Sequence, residues 1–476
     1  MENAVITAEE KRWRRRHALA VLAILCFYML CPVAPERWGY LYESYGKFVI
    51  VAVAAIYFMR RGIRGSAEVK LVVWYAIWLF VTRLLNTDYY LTNELDLVLS
   101  RVLCCVVLPT GMLLDGGERA RLLDLMAAVL GLFYLAAALL SIYACFFGTY
   151  FYIPPEGVVF GIDYPDYFNH LVILNTNRTL SAIWLYIAWC LMTYEFFNCR
   201  GRLWRIPIVL AWLVFLVAIA LAYSRTVKLA VGVNLAMLLL LWGMRSLRIR
   251  SRALKGLALA AMLLLTVPAV YKGFDLVTGG MSSLIVLVGA DEDRPSDEFI
   301  NYREAEHGLS DPRTISDSAS AESARSQIYR SFLPTLRQDP LRILIGKYSD
   351  KLMDIPHTMM IYPFTHMHNY LLQTFMLTGA PGFLLVLAFS VLMVWRCVRL
   401  FFSKAAAATT AVKSLVLPVT GLFMYSMLDV LMFTGSPDLR SMTTDVRELF
   451  FFLICGVVLA YSYELYPDRP GKRNGG

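Results

Sequence analysis

Residues 365–382 read THMHNYLLQTFMLTGAPG, and the rest of the chain can be read outward from this stretch. His366, His368 and Asn369 stand at the edge of a long apolar run. A polar, titratable cluster at a membrane entrance is costly unless a partner or a reaction uses it. Before this point the chain alternates apolar runs with short polar connections and then enters one long polar segment. After it the chain returns to apolar runs.

The 476 residues are 58% hydrophobic and only 17% charged, with a mean hydropathy of +0.56, too apolar for a soluble globular protein of this length. Apolar runs of about 17–25 residues recur throughout, the length a helix needs to cross a bilayer. Strands of a membrane barrel would alternate apolar and polar residues, and these runs do not. The class is therefore all-α, a polytopic integral membrane protein. The net charge of +9 comes from short basic clusters between apolar runs, which are topology signals rather than a nucleic-acid footprint. None of the nine cysteines lies in the long polar segment, and there is no CxxC, so neither a disulfide framework nor a metal site is indicated. No GxxxxGK[ST] or GxGxxG loop occurs, so no nucleotide cofactor is expected.

The hydropathy gives about 12 spans, near 17–34, 46–59, 68–82, 97–113, 122–147, 179–197, 206–223, 226–244, 256–272, 368–395, 414–432 and 447–463. With the N-terminus in the cytoplasm, basic residues such as Arg60, Arg61, Arg64, Arg119, Arg121, Arg200, Arg202, Arg205, Arg245, Arg248, Arg396 and Arg399 all fall in inner connections. That alternation places both termini in the cytoplasm. Three parts follow: residues 1–272 with nine spans, an extracytoplasmic loop at 273–367, and residues 368–476 with three spans and a cytoplasmic tail. A smaller outer segment near 148–178 is rich in aromatics, prolines and aspartates. Within the large loop, Ile328, Phe332, Leu333 and Leu336 recur at helical spacing, which predicts an amphipathic helix able to lie on the membrane surface as a lid.

His368 is either an interfacial histidine reaching into head groups or a proton acceptor facing the outer water; His366 is secondary to it. On a continuous helix, His368 to Gly379 spans about 16 Å, and the glycines of Gly379-Ala380-Pro381-Gly382 let another helix approach. Arg225, in the turn ALAYSRTVK, anchors to head groups or meets an anion. Ser224 and the helix start beside it add donors for phosphate, and Lys228 adds positive potential. Arg325 and Arg330 form a solvated face or, because the loop runs into His368, a phosphate-binding pair. Asp291-Glu292-Asp293 has the form of a metal-binding DxD but reads better as a flexible acidic patch, and Asp163 and Asp166 could contact sugar.

An outer-face histidine and asparagine, then nine residues, then Gly-x-x-Gly resembles the signature of the bacterial O-antigen ligase/polymerase family. The Ser224-Arg225 turn is similar to that family's first essential arginine. The run from Arg325 through Tyr329 and Pro340 to Gly346 resembles its loop segment. Ala380 departs from the threonine usual in ligases. The resemblance implies a GT-C-like, metal-independent glycosyltransferase with no cofactor. Its donor would be an undecaprenyl-pyrophosphate-linked glycan at the outer face of the cytoplasmic membrane, and its acceptor a glycan or lipid hydroxyl. Arg225 and Arg325 would hold the pyrophosphate and His368 would activate the acceptor, with Asn369, Ser224, Arg330 and His366 in support. The competing class is a polytopic transporter or lipid-linked glycan flippase, which the absence of paired half-repeats disfavours.

Overall fold

The computed structural model describes residues 7–30, 47–61, 66–85, 91–146, 151–153, 158–163, 170–172, 178–199, 201–222, 224–246, 252–287, 332, 334, 336–337, 340–346, 367, 369–428 and 446–466. These fall into two compact units, Met1–Arg121 with Arg325–Gly476, and Leu122–Ala324. The protein is a helical, polytopic membrane protein. Among the described residues six helices are long and apolar enough to cross a membrane, and the shorter apolar helices Val51–Arg60, Arg101–Leu113 and Arg205–Leu221 add to them.

The first unit contains α1 (Ala8–Leu30), α2 (Lys47–Arg61), α3 (Ala67–Leu85), α4 (Leu91–Leu113) and the start of α5 (Gly116–Phe146). Three ion pairs, two of them buried on both sides, tie these helices to later parts of the same unit, α11 (Tyr370–Phe401) and α14 (Val446–Leu465). Arg101 on α4 pairs with Glu448, and Arg119 on α5 pairs with Glu464. At the third, Arg396 Nε donates to Glu68 Oε1 at 2.9 Å and Tyr463 OH donates to Oε2 at 2.8 Å. The Arg396 guanidinium also lies 3.9 Å from the centre of the Tyr463 ring. Charges at such depth persist only when paired. Glycine makes the α4–α14 crossing possible, because a Cβ on Gly456 would overlap the Leu108 carbonyl and one on Gly111 the backbone at Gly456 and Val457. We expect Glu68→Ala, which strands Arg396 in the interior, to cost about 3–5 kcal/mol. Tyr463→Phe should cost about 1 kcal/mol. Thermal unfolding of the purified protein in detergent measures both.

The second unit continues α5 and adds a small sheet, then α6 (Arg178–Asn198), α7 (Arg205–Leu221), α8 (Arg225–Ser246) and α9 (Arg252–Leu287). The sheet lies in the segment near 148–178. Strands β1 (Phe151–Ile153), β2 (Val158–Asp163) and β3 (His170–Val172) pair antiparallel in the order β1-β2-β3, with Tyr152 opposite Val159 and Ile162 opposite Leu171. Aromatic and β-branched residues favour these strands, and Pro154, Pro155 and Gly157 between the first two are turn formers. The helical class thus carries one sheet that the hydropathy did not signal.

Two boundaries move. Helix α9 runs without a break to Leu287, so Gly279, Gly280 and the apolar residues after them continue a helix rather than open the polar loop. At about 54 Å for 36 residues it is longer than a bilayer core is thick. Helix α11, by contrast, is two helices. Gly379 has φ 68° and ψ −171°, a conformation that ends a helix. Tyr370 OH donates to Ser390 Oγ at 2.8 Å, although twenty residues of straight helix would hold these positions about 30 Å apart. The arm 370–378 therefore folds back along the arm 380–401. The second arm rises about 33 Å and is long enough to span by itself.

Candidate functional site

In the second unit, the Ser224 carbonyl accepts from Lys228 N at 3.0 Å and so opens α8. Ser224 therefore stands at the helix's N-cap, where its hydroxyl would normally accept from the first-turn N–H groups. Here that hydroxyl is buried and makes no hydrogen bond among the described residues. The first-turn amides, which have no partner within a helix, keep their donor capacity and the positive end of the helix dipole. Arg225, the next residue, is exposed and makes no ion pair among the described residues. The turn thus combines an exposed guanidinium, a hydroxyl without a hydrogen bond among the described residues and the N-terminal end of a helix, a set suited to an anion.

Lys228 does not join this set. Its ammonium is buried, lies 3.7 Å from Asp275 Oδ1 on α9 and sits 5.8 Å from the centre of the Phe274 ring. The positive potential expected from Lys228 is spent on Asp275. On the same α9 face, Thr278 Oγ1 donates to Phe274 O at 2.9 Å and Ala220 O at 3.3 Å, tying α9 to the end of α7 beside the turn.

In the first unit, Asn369 caps the folded-back arm of α11. Its Oδ1 accepts from Leu371 N at 3.0 Å and Leu372 N at 3.1 Å, and its Nδ2 donates to the Met427 carbonyl at 3.0 Å, near the end of α13 (Val416–Leu428). On the other side of His368, the Met367 N–H donates to Gln373 Oε1 at 2.8 Å, and Met367 is fully buried. The residues on both sides of His368 are therefore fixed to the same short arm. Asn369 is thus a helix cap, with Oδ1 and one Nδ2 hydrogen bond directed at the backbone. Asn369→Ala should cost about 0.5–2 kcal/mol through the lost cap. Asn369→Asp should keep the cap and lose only the tie to Met427. Unfolding curves of the two variants separate these contributions.

The fold-back is held from both sides. The carbonyls that the break at Gly379 leaves without helical partners are met by α3: Trp78 Nε1 donates to Thr378 O at 2.7 Å and Arg83 Nη2 to Leu377 O at 3.0 Å. A broken helix at membrane depth is tolerated where neighbours satisfy its freed groups in this way, and a cation suits a helix C-terminus. On the far side sits α10 (Leu341–Ile345), closed by Gly346 at φ 68°. A Cβ on Gly346 would overlap the backbone of Leu377 and Thr378, and one on Gly379 the backbone of Leu344 and Ile345. The two glycines let two chain reversals touch backbone to backbone. Phe332 and Leu336, two of the residues on the expected amphipathic face, pack with Met367, Leu372, Phe375, Met376 and Leu377. These two residues of the loop thus pack on the folded-back arm.

Residues 208–387 match the O-antigen ligase family model, Wzy_C. The matched segment takes in the Ser224-Arg225 turn, Asn369 and the elbow at Gly379. The matched part of the chain is thus similar to ligase-type membrane enzymes of surface-polysaccharide biosynthesis. A search of curated proteins finds no match. Of the residues singled out in the sequence, Ser224, Arg225 and Asn369 are placed. Arg325, Arg330, His366 and His368 lie outside the described residues, as do Asp166 and the Asp291-Glu292-Asp293 run, while Asp163 ends β2 opposite His170. Sequence reasoning missed Trp78 and Arg83, which lie on α3 outside the ligase-like segment. The glycines read as letting another helix approach do so at Gly379, where the α10 backbone meets it, but the break there was missed, although Gly and Pro so close together inside an apolar run signal one.

Proposed function

We propose that the protein transfers a glycan from undecaprenyl pyrophosphate to an acceptor hydroxyl of a glycan or lipid, at the outer face of a bacterial cytoplasmic membrane, as a ligase or a repeat-unit polymerase. The observation that carries the reading is the ligase-family match, which spans the turn with the buried Ser224 hydroxyl and exposed Arg225 as well as the helix start that follows His368. In the reaction, the acceptor oxygen attacks the anomeric carbon and its proton passes to His368. The bond from the anomeric carbon to the pyrophosphate oxygen breaks, and the electron pair leaves with the lipid pyrophosphate. Arg225 and Arg325 stabilise the charge that develops there, in place of a divalent ion. Arg330 and His366 support the two groups.

The test is the lipid-linked and surface glycan of a deletion strain complemented with variants. His368→Ala should lower transfer about 10²–10⁴-fold while the protein still inserts in the membrane. Normal surface glycan in that strain would refute the role of His368. The glycan left on the carrier distinguishes the subtypes: single repeats when a polymerase is lost, long unattached chains when a ligase is lost. Strict dependence of the purified protein on magnesium or manganese would overturn the metal-free mechanism.

A further inference from the structure

We propose that α6, α7 and α8 form a binding slot for one acyl chain of an anionic phospholipid in the cytoplasmic leaflet. A cavity of about 210 Å³ opens between these helices, lined by Phe196, Phe197, Ile208, Val209, Trp212 and Leu238, with Thr193 behind Trp212. It exceeds the roughly 150 Å³ of an apolar cavity that stays dry and takes up benzene. The polar atoms beside it are already engaged. Trp212 Nε1 donates to Thr193 Oγ1 at 2.9 Å, and that hydroxyl donates to Trp189 O at 2.9 Å. Water therefore finds no free partner in the slot, whereas a hydrocarbon chain needs none.

The position of the slot fits a lipid chain. Phe197 is one residue from the end of α6, Val209 lies one turn into α7, and Leu238 lies about 12 Å from the end of α8. The slot thus starts beside the turn at 199–205 and runs inward from it. In that turn Leu203 and Trp204 are 80% and 71% exposed, as anchors at a membrane interface are. The sequence places basic residues there, the pattern of a cytoplasmic connection. Arg202 is exposed. The Arg205 guanidinium sits 5.4 Å from the centre of the Phe196 ring, so a cation lies against a wall of the slot, and its Nη2 donates to Cys199 O at 3.3 Å. An apolar slot with Arg205 against its wall and Arg202 in the turn beside it matches a lipid with an acyl chain and an anionic head group. The proposal is independent of the transferase reading and needs no glycan substrate for its test.

The experiment is fluorescence quenching in phosphatidylcholine bilayers holding the full-length protein and a minor fraction of lipid brominated on its acyl chains. The Trp212 signal is the wild-type emission minus that of Trp212→Phe. Brominated phosphatidylglycerol should quench this signal more strongly than brominated phosphatidylcholine, by about fivefold in apparent affinity per arginine. The Arg202→Gln/Arg205→Gln double variant should bring the two lipids level. Equal quenching by both lipids in the wild type, the result of an unselective lipid annulus, overturns the proposal, as does a Trp212 signal that neither lipid quenches. Val209→Trp is a second variant, since Val209 is exposed and its replacement fills the mouth without touching the Trp212–Thr193 bond. It should remove one retained phosphatidylglycerol from native mass spectra, and unchanged retention overturns the slot.

Discussion

Gly379→Ala should destroy transfer activity and destabilise the protein by about 2–5 kcal/mol, measured by thermal unfolding in detergent alongside a glycan-transfer assay. Two penalties add. The first is conformational: at φ 68° an L side chain meets its own backbone. The second is steric, since the new Cβ would lie 2.5 Å from the Leu344 carbonyl carbon and 2.8 Å from the Ile345 nitrogen. These are backbone atoms at the end of α10 and have no rotamer to move to. Relief requires α10 to lift away or the elbow to straighten. A straight α11 would carry Tyr370 away from Ser390, Asn369 away from the Met427 carbonyl, and the residues flanking His368 with them. Leu384→Ala, at a 59% exposed position five residues on, should change stability by no more than about 0.5 kcal/mol. A Gly379→Ala protein that melts and works like wild type would show that the fold-back is dispensable.

The second large effect is expected at the start of α8. Arg225→Ala should lower kcat by about 10²–10³, the usual loss when one donor to a developing negative charge is removed. Arg225→Lys should recover only part of the rate, because an ammonium cannot make the paired contacts of a guanidinium. Ser224 gives a test with opposite signs. In the protein without donor, the buried Ser224 hydroxyl has no hydrogen bond among the described residues, so Ser224→Ala should raise stability, by about 1–3 kcal/mol if the full desolvation penalty is recovered. The same change should raise KM for the lipid-linked donor, since the pyrophosphate loses that contact. Stability and KM rising together would identify a hydroxyl held for a ligand. A fall in stability would show it to be an ordinary cap.

The hydropathy of the chain was enough to show a helical membrane protein, because one apolar run of about 20 residues admits few other structures. It was a poorer guide to where helices bend. Averaged over a window, residues 370–401 look like one long span, and the reversal inside them depends on the sign of one φ angle at Gly379. The distant partners were hidden for a related reason. Glu68 stands hundreds of residues before Arg396 and Tyr463, and each reads in the sequence as an interfacial polar residue. Lys228 looked like part of the cationic turn because Asp275, which takes up its charge, lies on another helix. The Ser224-Arg225 pair was legible since the motif is local: a small hydroxyl and a cation at the start of an apolar helix. Asn369 was legible as important, but its place as a helix cap was not. An asparagine beside a histidine suggests chemistry, and only the two amide bonds to Leu371 and Leu372 show a cap.

The contact of Gly346 with Leu377 and Thr378, together with the bond from Met367 to Gln373, has a consequence for the chain between them. Gly346 and Met367 are riveted to the same bar, so any tether that joins them starts and ends at one place. Doubling the length of such a tether costs only about 0.6 kcal/mol in closure entropy. A sequence built on this framework can lengthen, shorten or exchange that tether without redesigning the bar that carries it.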